Sequence, residues 1–184
     1  MCQSCELVFV PTSYFVETDE ELAHYEKHEN SPEDAGYRSF LSALFTPIQT
    51  YINKGEKGLD YGCGPGPTLS IMFQEMGFEM DIYDPYFFPS ETLEKHYSFV
   101  TCTEVVEHFY NPIIEFEKLF SLLKPNGVLG LMTQLITEKV NFNSWYYIRD
   151  KTHVHFYTKE TFKWLAKKYN KSVSFYGENA IVFY

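Results

Sequence analysis

The chain lacks any apolar run near the about 20 residues that a membrane-spanning helix requires. Its first residues show no basic stretch followed by an apolar one, so no secretory leader is expected. It holds only 4 cysteines in 184 residues, too few to frame a fold with disulfides. Basic residues are scarce as well. The 15 Lys and Arg face 25 Asp and Glu, for a formal net charge of -10. Such a surface repels a phosphate backbone at long range, which argues against general nucleic-acid binding. The one basic cluster, Lys163, Lys167, Lys168 and Lys171, reads as a solvated helix face and its end. Internal repeats and low-complexity segments are missing too. Together these absences predict a cytoplasmic protein with neither a membrane nor a nucleic acid as partner. Nothing in the sequence speaks to its oligomeric state.

What the chain has in abundance is aromatic residues, 17 Phe and 15 Tyr, within an apolar fraction of 45%. Disorder is therefore excluded. The length suits one domain, which buries roughly 70% of its unfolded surface. Residues 1–16 show no clear period. An acidic helix is expected from Thr18 or Asp19 to Glu29, broken by Asn30-Ser31-Pro32. Ser31 as cap, Pro32 at the first position and Glu33 and Asp34 in the first turn predict a second helix. It should run to about Ile52, kinked or interrupted at Pro47. From residue 58 the pattern alternates. Strands are expected over 58–61, 79–83, 98–103 and 128–133. Helices are expected over 68–76, 112–123 and 158–169, with a helical stretch beginning at 104–109. Residues 172–176 and 180–184 read as a closing antiparallel hairpin around Gly177-Glu178-Asn179. Strand–helix alternation implies an α/β fold with a mostly parallel sheet, whose ligands bind outside the carboxyl ends of the strands. Residues 1–57 form a cap segment with helices, and residues 58–184 form the core of a single structural domain.

Gly62-Cys63-Gly64-Pro65-Gly66 falls between a strand and a helix. Glycines there let the backbone turn sharply and approach a ligand, and the following helix start favours a carboxylate or phosphate. A P-loop would end in Gly-Lys-Ser/Thr, whereas this loop gives Gly66-Pro67-Thr68. A dinucleotide fingerprint needs a small residue where Pro67 stands, so a nicotinamide-dependent oxidoreductase is the weaker alternative.

The run Leu59-Asp60-Tyr61-Gly62-Cys63-Gly64-Pro65-Gly66 resembles the first motif of class I S-adenosylmethionine-dependent methyltransferases. Thr101 to Phe109 is similar to the stretch after their fourth core strand, and Leu123 to Leu129 to the turn before the fifth. The ordered set resembles the bacterial ubiquinone/benzoquinol-methylase-like group. The resemblance implies a Rossmann-like sandwich and S-adenosyl-L-methionine as cofactor. It implies methyl transfer to an unidentified, small-molecule acceptor, or cofactor binding without turnover.

It also implies cofactor contacts from Asp60, Gly62, Cys63, Gly64, Gly66, Asp84, Pro85, Thr103 and Glu104, with Tyr37 or Arg38 meeting the cofactor carboxylate. Asp84, 18 residues after Gly66, is placed to accept both ribose hydroxyls. The leading segment of relatives, matched here by Tyr25 to Arg38 with His28 and Glu29, covers the cofactor. One departure stands out. Only Pro85 to Tyr97 separates Asp84 from the next strand, so the third-strand region is shortened. Glu91 and Glu94 do not match the usual adenine-binding acid, and Tyr86, Phe87 or Val105 must hold adenine by apolar contact.

Methyl transfer is an in-line displacement in which the protein aligns the acceptor and excludes water; a base is needed only for a protonated acceptor. The candidates are Glu104, Glu107 and His108 after the third strand, and the segment 141–157 with Trp145, Tyr146, Tyr147, Asp150, Thr152, His153, His155 and Phe156. His153 is favoured, in a Thr-His-Val run that resembles one in relatives, with His108 and Glu104 beside it as catalytic candidates. Asp150, His153 and His155 are too thin a set for a metal, and none is expected. Cys2 and Cys5 look like the remnant of the N-terminal zinc ribbon that some relatives carry.

Overall fold

The computed structural model describes residues 1–27, 30–89 and 96–184. The expectations placed on His28, Glu29, Glu91 and Glu94 lie outside the described residues. The N-terminal part comprises strand β1 (Val8–Phe9), helix α1 (Thr18–Tyr25) and helix α2 (Ala35–Ile48). The core runs β2 (Lys57–Tyr61), α3 (Thr68–Glu75), β3 (Glu79–Tyr83), β4 (Tyr97–Thr103), α4 (Pro112–Ser121) and β5 (Leu123–Met132). It closes with β6 (His155–Phe156), α5 (Lys159–Lys168), β7 (Val173–Tyr176) and β8 (Ala180–Phe183).

Six strands form one sheet in the order β3-β2-β4-β5-β8-β7. The first four are parallel, and β8 and β7 close the sheet antiparallel. The period-2 alternation of β5 and β8 divides two cores. Val128 and Met132 with Val182 face α2 and α3, where Leu41, Leu44, Leu69 and Phe73 are buried. Leu129 and Leu131 with Ile181 and Phe183 face α4 and α5, through Phe116, Leu119, Phe162 and Leu165. A register shift between Tyr97 and Phe99 turns these two rings to opposite faces. Each such buried side chain contributes about 1.5–3 kcal/mol.

Two details of α2 correct the sequence expectation. The cap is Asp34, whose carboxylate accepts the N–H groups of Gly36 and Tyr37 at 2.7 and 3.1 Å. The Ser31 hydroxyl is engaged with Glu33 instead. The helix stops at Ile48, one residue after Pro47, whose missing N–H deprives the Ala43 carbonyl of its helical partner and weakens the last turn. Between Tyr83 and Tyr97 the described residues contain no strand, so β3 is the sheet edge, as the short spacing implied.

The contact made by the first residues was not legible beforehand, since residues 1–16 show no clear period. β1 pairs antiparallel with β6, and the Val10 N–H donates to the Val154 carbonyl at 2.9 Å. The N-terminal segment is thereby tied to the irregular stretch that carries His153.

Candidate active site

The strand ends Tyr61, Tyr83 and Thr103 border a cavity of about 1040 Å³. That is at the top of the range of about 300–1,000 Å³ typical of small-ligand sites. Asp60, Gly62, Cys63, Gly64, Gly66, Asp84, Pro85, Thr103, Glu104 and Tyr37 all line it, as do His108 and His153. Arg38 does not. Its guanidinium is held by Glu75 and by the Pro32 carbonyl, which corrects its assignment to the cofactor.

The loop after β2 is shaped by its glycines. Gly62 and Gly64 have φ of 75° and 63°, the left-handed region that side chains disfavour. A Cβ on Gly66 would lie 1.9 Å from the Asn30 carbonyl oxygen, so the chain leading into α2 packs directly on the loop. A Cβ on Gly64 would meet only the Asn30 amide nitrogen, at 3.5 Å. That side of the loop is open to the cavity.

Two buried acids flank the loop. Asp60 accepts the Thr101 hydroxyl at 2.9 Å, and burial pushes its pKa up to about 6. Asp84 accepts the N–H of Gly64 at 3.0 Å through Oδ2, and those of Tyr86 and Phe87 at 2.9 and 3.1 Å through Oδ1. A carboxylate has about four acceptor positions. Asp84 is thus both the turn-forming residue and a ligand candidate with about one position left, fewer than two sugar hydroxyls require. Tyr37 lies over this pole, and burial followed by the charges of Asp60 and Glu104 pushes its hydroxyl up to about 12. Burial raises the Cys63 thiol, which favours its protonated form.

The opposite pole is built by the turn after β4 and by the segment 141–157. Glu104 has φ of 52°, a strained conformation for a non-glycine residue, fixed by its N–H bond to the Met132 carbonyl at 2.7 Å. Its carboxylate and that of Glu107 converge on the Tyr147 hydroxyl, which donates to Glu107 and lies 3.3 Å from Glu104. Glu104 Oε1 and Glu107 Oε2 are buried without a hydrogen-bond partner. Burial raises both carboxyls, and in Glu104 the charge of Glu107 adds to the effect. The two imidazoles stand edge to face, 4.7 Å between centroids. His108 Nδ1 lies 3.1 Å from the Thr152 carbonyl, and His153 Nδ1 lies 2.8 Å from the Tyr147 carbonyl. A carbonyl can only accept, so each Nδ1 carries the proton and each basic lone pair is on Nε2. Asp150, 3.9 Å from His153 Nε2, is half-buried, which raises its carboxyl, yet bonds from Thr152 and the nearby His153 and His24 hold its pKa down to about 2.

His155 separates from this group. It is buried within β6, outside the cavity lining, and burial lowers its pKa. The structure instead brings Glu107, His108 and His153 together, with one donor atom of each within 4.8 Å of the others. Trp145 also turns away from the cavity, packing near Phe142 and Phe156.

Sequence reasoning missed Glu21. Its carboxylate, 6% exposed, accepts three tyrosine hydroxyls: Tyr25 at 2.8 Å, Tyr86 at 2.9 Å and Tyr110 at 3.2 Å. These reach it from α1, from the turn after β3 and from the turn before α4. Tyrosines are so common in this chain that no local signal marked these three.

Comparison with known proteins agrees with this architecture. No curated protein sequence matches the chain. Among solved structures, a Pyrococcus horikoshii protein is 18% identical with a TM-score of 0.56, covering 88% of this chain and 96% of that one. Magnesium protoporphyrin IX methyltransferase from Synechocystis, with S-adenosylhomocysteine bound, is 14% identical with a TM-score of 0.56, over 80% of this chain and 81% of that one. Human N-acetylserotonin methyltransferase, in complex with S-adenosylmethionine, is 10% identical with a TM-score of 0.57, over 77% of this chain. The chain spans 50% of the human enzyme's length and 66% of that of a mitomycin 7-O-methyltransferase. At these identities the likeness establishes the fold. A family model described as a methyltransferase domain matches residues 28–173. With the match running from the approach to α2 through the glycine loop and on to β7, the chain belongs to the methyltransferase-domain family.

Proposed function

We propose that this chain transfers the methyl group of S-adenosyl-L-methionine to a small-molecule acceptor. The observation that carries the reading is the open face of the glycine loop between two buried acids, at one end of a cavity large enough for two ligands. The residues fit the group. Asp60 and Asp84 supply negative charge toward a ligand that carries an ammonium and a sulfonium. Asp84 has an acceptor position for a ribose hydroxyl. Tyr86, Phe87 and Val105 line the cavity and offer apolar surface for adenine, in place of the acid that the shortened edge has no room for. Gly62, Gly64 and Gly66 with Cys63, Pro85, Thr103 and Tyr37 complete the holding set.

When bound, the cofactor supplies a methyl group activated on a sulfonium. The chain's own residues do the rest. The Glu104, His108 and His153 pole receives the acceptor and holds it in line with the glycine loop. Helix α1, tied down through Glu21, covers the pocket and excludes water. A protonated acceptor gives up its proton to a base, and the Nε2 lone pair of His153, with that of His108 beside it, is placed for this. An excess of acids over bases around the pocket fits a small acceptor and disfavours nucleic acid. No described helix is long and apolar enough to cross a membrane.

Calorimetric titration tests the reading. S-adenosylhomocysteine is expected to bind one per chain, and NADH is expected not to compete. Absence of binding would sink the proposal. Binding without turnover across a panel of small acceptors would favour a non-catalytic cofactor-binding protein.

A further inference from the structure

We propose that Glu107, His108 and His153 form a binding site for a first-row divalent cation of the zinc class. The inference deepens the methyltransferase reading and rests on it for the identity of the neighbouring ligand. Two imidazoles and one carboxylate are a donor set that divalent transition metals use with positions left open. One donor atom of each lies within 4.8 Å of the others. An ion with bonds of about 2.0–2.2 Å sets tetrahedral ligands about 3.3–3.6 Å apart, so closing on it requires a side-chain adjustment on the order of 1 Å.

Three further observations point to a ligand. Glu107 is fully buried, and its Oε2 has no hydrogen-bond partner. Such an oxygen carries a desolvation cost that a cation removes. Both histidines are oriented from behind, through Nδ1–H bonds to the Thr152 and Tyr147 carbonyls. That arrangement fixes the tautomer with the lone pair on Nε2, as metal-ligating histidines require. The Glu107 carboxylate is itself oriented by the Tyr147 hydroxyl, so one residue positions two of the three donors. Asp150, beside His153, adds negative charge at the site.

The cluster lies on the cavity wall near the end of β4, which His108 and His153 both line. With the ion bound, both Nε2 lone pairs are ligands and neither imidazole acts as the base; an open position on the ion takes an acceptor oxygen and acidifies its hydroxyl in their place. This narrows the substrate class to small molecules bearing a hydroxyl. On binding, the O–H bond breaks with its electron pair left on oxygen, and the proton passes to solvent. The site is distinct from Cys2 and Cys5, which lie at the N-terminus and would offer sulfur.

Cobalt titration of the full chain tests this. Cys2→Ser and Cys5→Ser are combined in one background to remove the thiol pair, and the protein is stripped with chelator before Co²⁺ is added. One Co²⁺ per chain is expected, with weak visible bands and no near-ultraviolet thiolate charge-transfer absorption. E107Q and H153A in that background are each expected to weaken binding at least tenfold while S-adenosylhomocysteine still binds. No cobalt uptake by the thiol-free chain overturns the proposal, as does uptake unchanged by both substitutions. If E107Q does not fold, the thiol-free spectrum and H153A decide. Failure of S-adenosylhomocysteine to bind sinks the methyltransferase reading instead, and the cobalt titration then judges the metal site by itself.

Discussion

Asp60 shows how the cavity sets stability against binding. Its carboxyl, lifted to about 6 by burial, holds its proton more tightly in the folded chain than in the unfolded one. This stabilising contribution is complete below the unfolded value near 4 and is lost as pH rises through about 6. Two units correspond to about 3 kcal/mol. D60N is therefore expected to be more stable than the unliganded native protein at pH 8, by up to that amount, and equal to it at pH 4. Urea unfolding at the two pH values checks this. The same variant should bind S-adenosylhomocysteine at least tenfold more weakly, because the cationic ligand loses its counter-charge. At Asp84 the two effects align. D84A should lower ligand affinity at least tenfold and also destabilise the fold by about 1–3 kcal/mol, since three N–H groups lose their acceptor. H153A should cut turnover at least tenfold with cofactor affinity unchanged; turnover within twofold of native would remove the residue from the chemistry. That the loop glycines and both acids lie at the cavity was legible because it follows from neighbours a few positions away. Arg38 was misread because its partner, Glu75, sits on another helix. Glu21 and the pairing of Glu107 with His153 depend on segments far apart in sequence, which periodicity does not report.

Elements were easier to read than their ends. The start of α5 at Thr158 was legible, and a reciprocal bond pair between Thr158 and Thr161 caps it. Thr158→Ala should cost about 1 kcal/mol in thermal or urea unfolding. The start of α2 was misplaced because Ser31-Pro32 is as good a local signal as Asp34, and only the folded backbone chooses between them. α1 owes its position to Glu21 more than to its own sequence, whose apolar residues are few. Glu21→Ala removes the acceptor that three hydroxyls share, and amide exchange across residues 18–25 should accelerate at least tenfold with the sheet strands unaffected.

At the scale of the whole molecule, the mostly parallel sheet followed from alternation, whereas its strand order emerged only in the fold, and the short gap after Asp84 announced the shortened edge. The hairpin could be foreseen to close the sheet because its two strands alternate around a glycine turn. Ligand binding should act on the entire fold. Saturation at a hundred times Kd adds about 2.7 kcal/mol, which for a chain of this size raises Tm by roughly 5–10 °C. A melting curve with S-adenosylhomocysteine measures it. The pairing of β1 with β6 carries its own consequence. Residues 8–10 act as a splint on the back of the wall whose front presents His153. Trimming the first ten residues would leave the glycine loop and its acids in place, yet loosen the hand that holds the acceptor, so the enzyme would keep its grip on the donor while losing its aim.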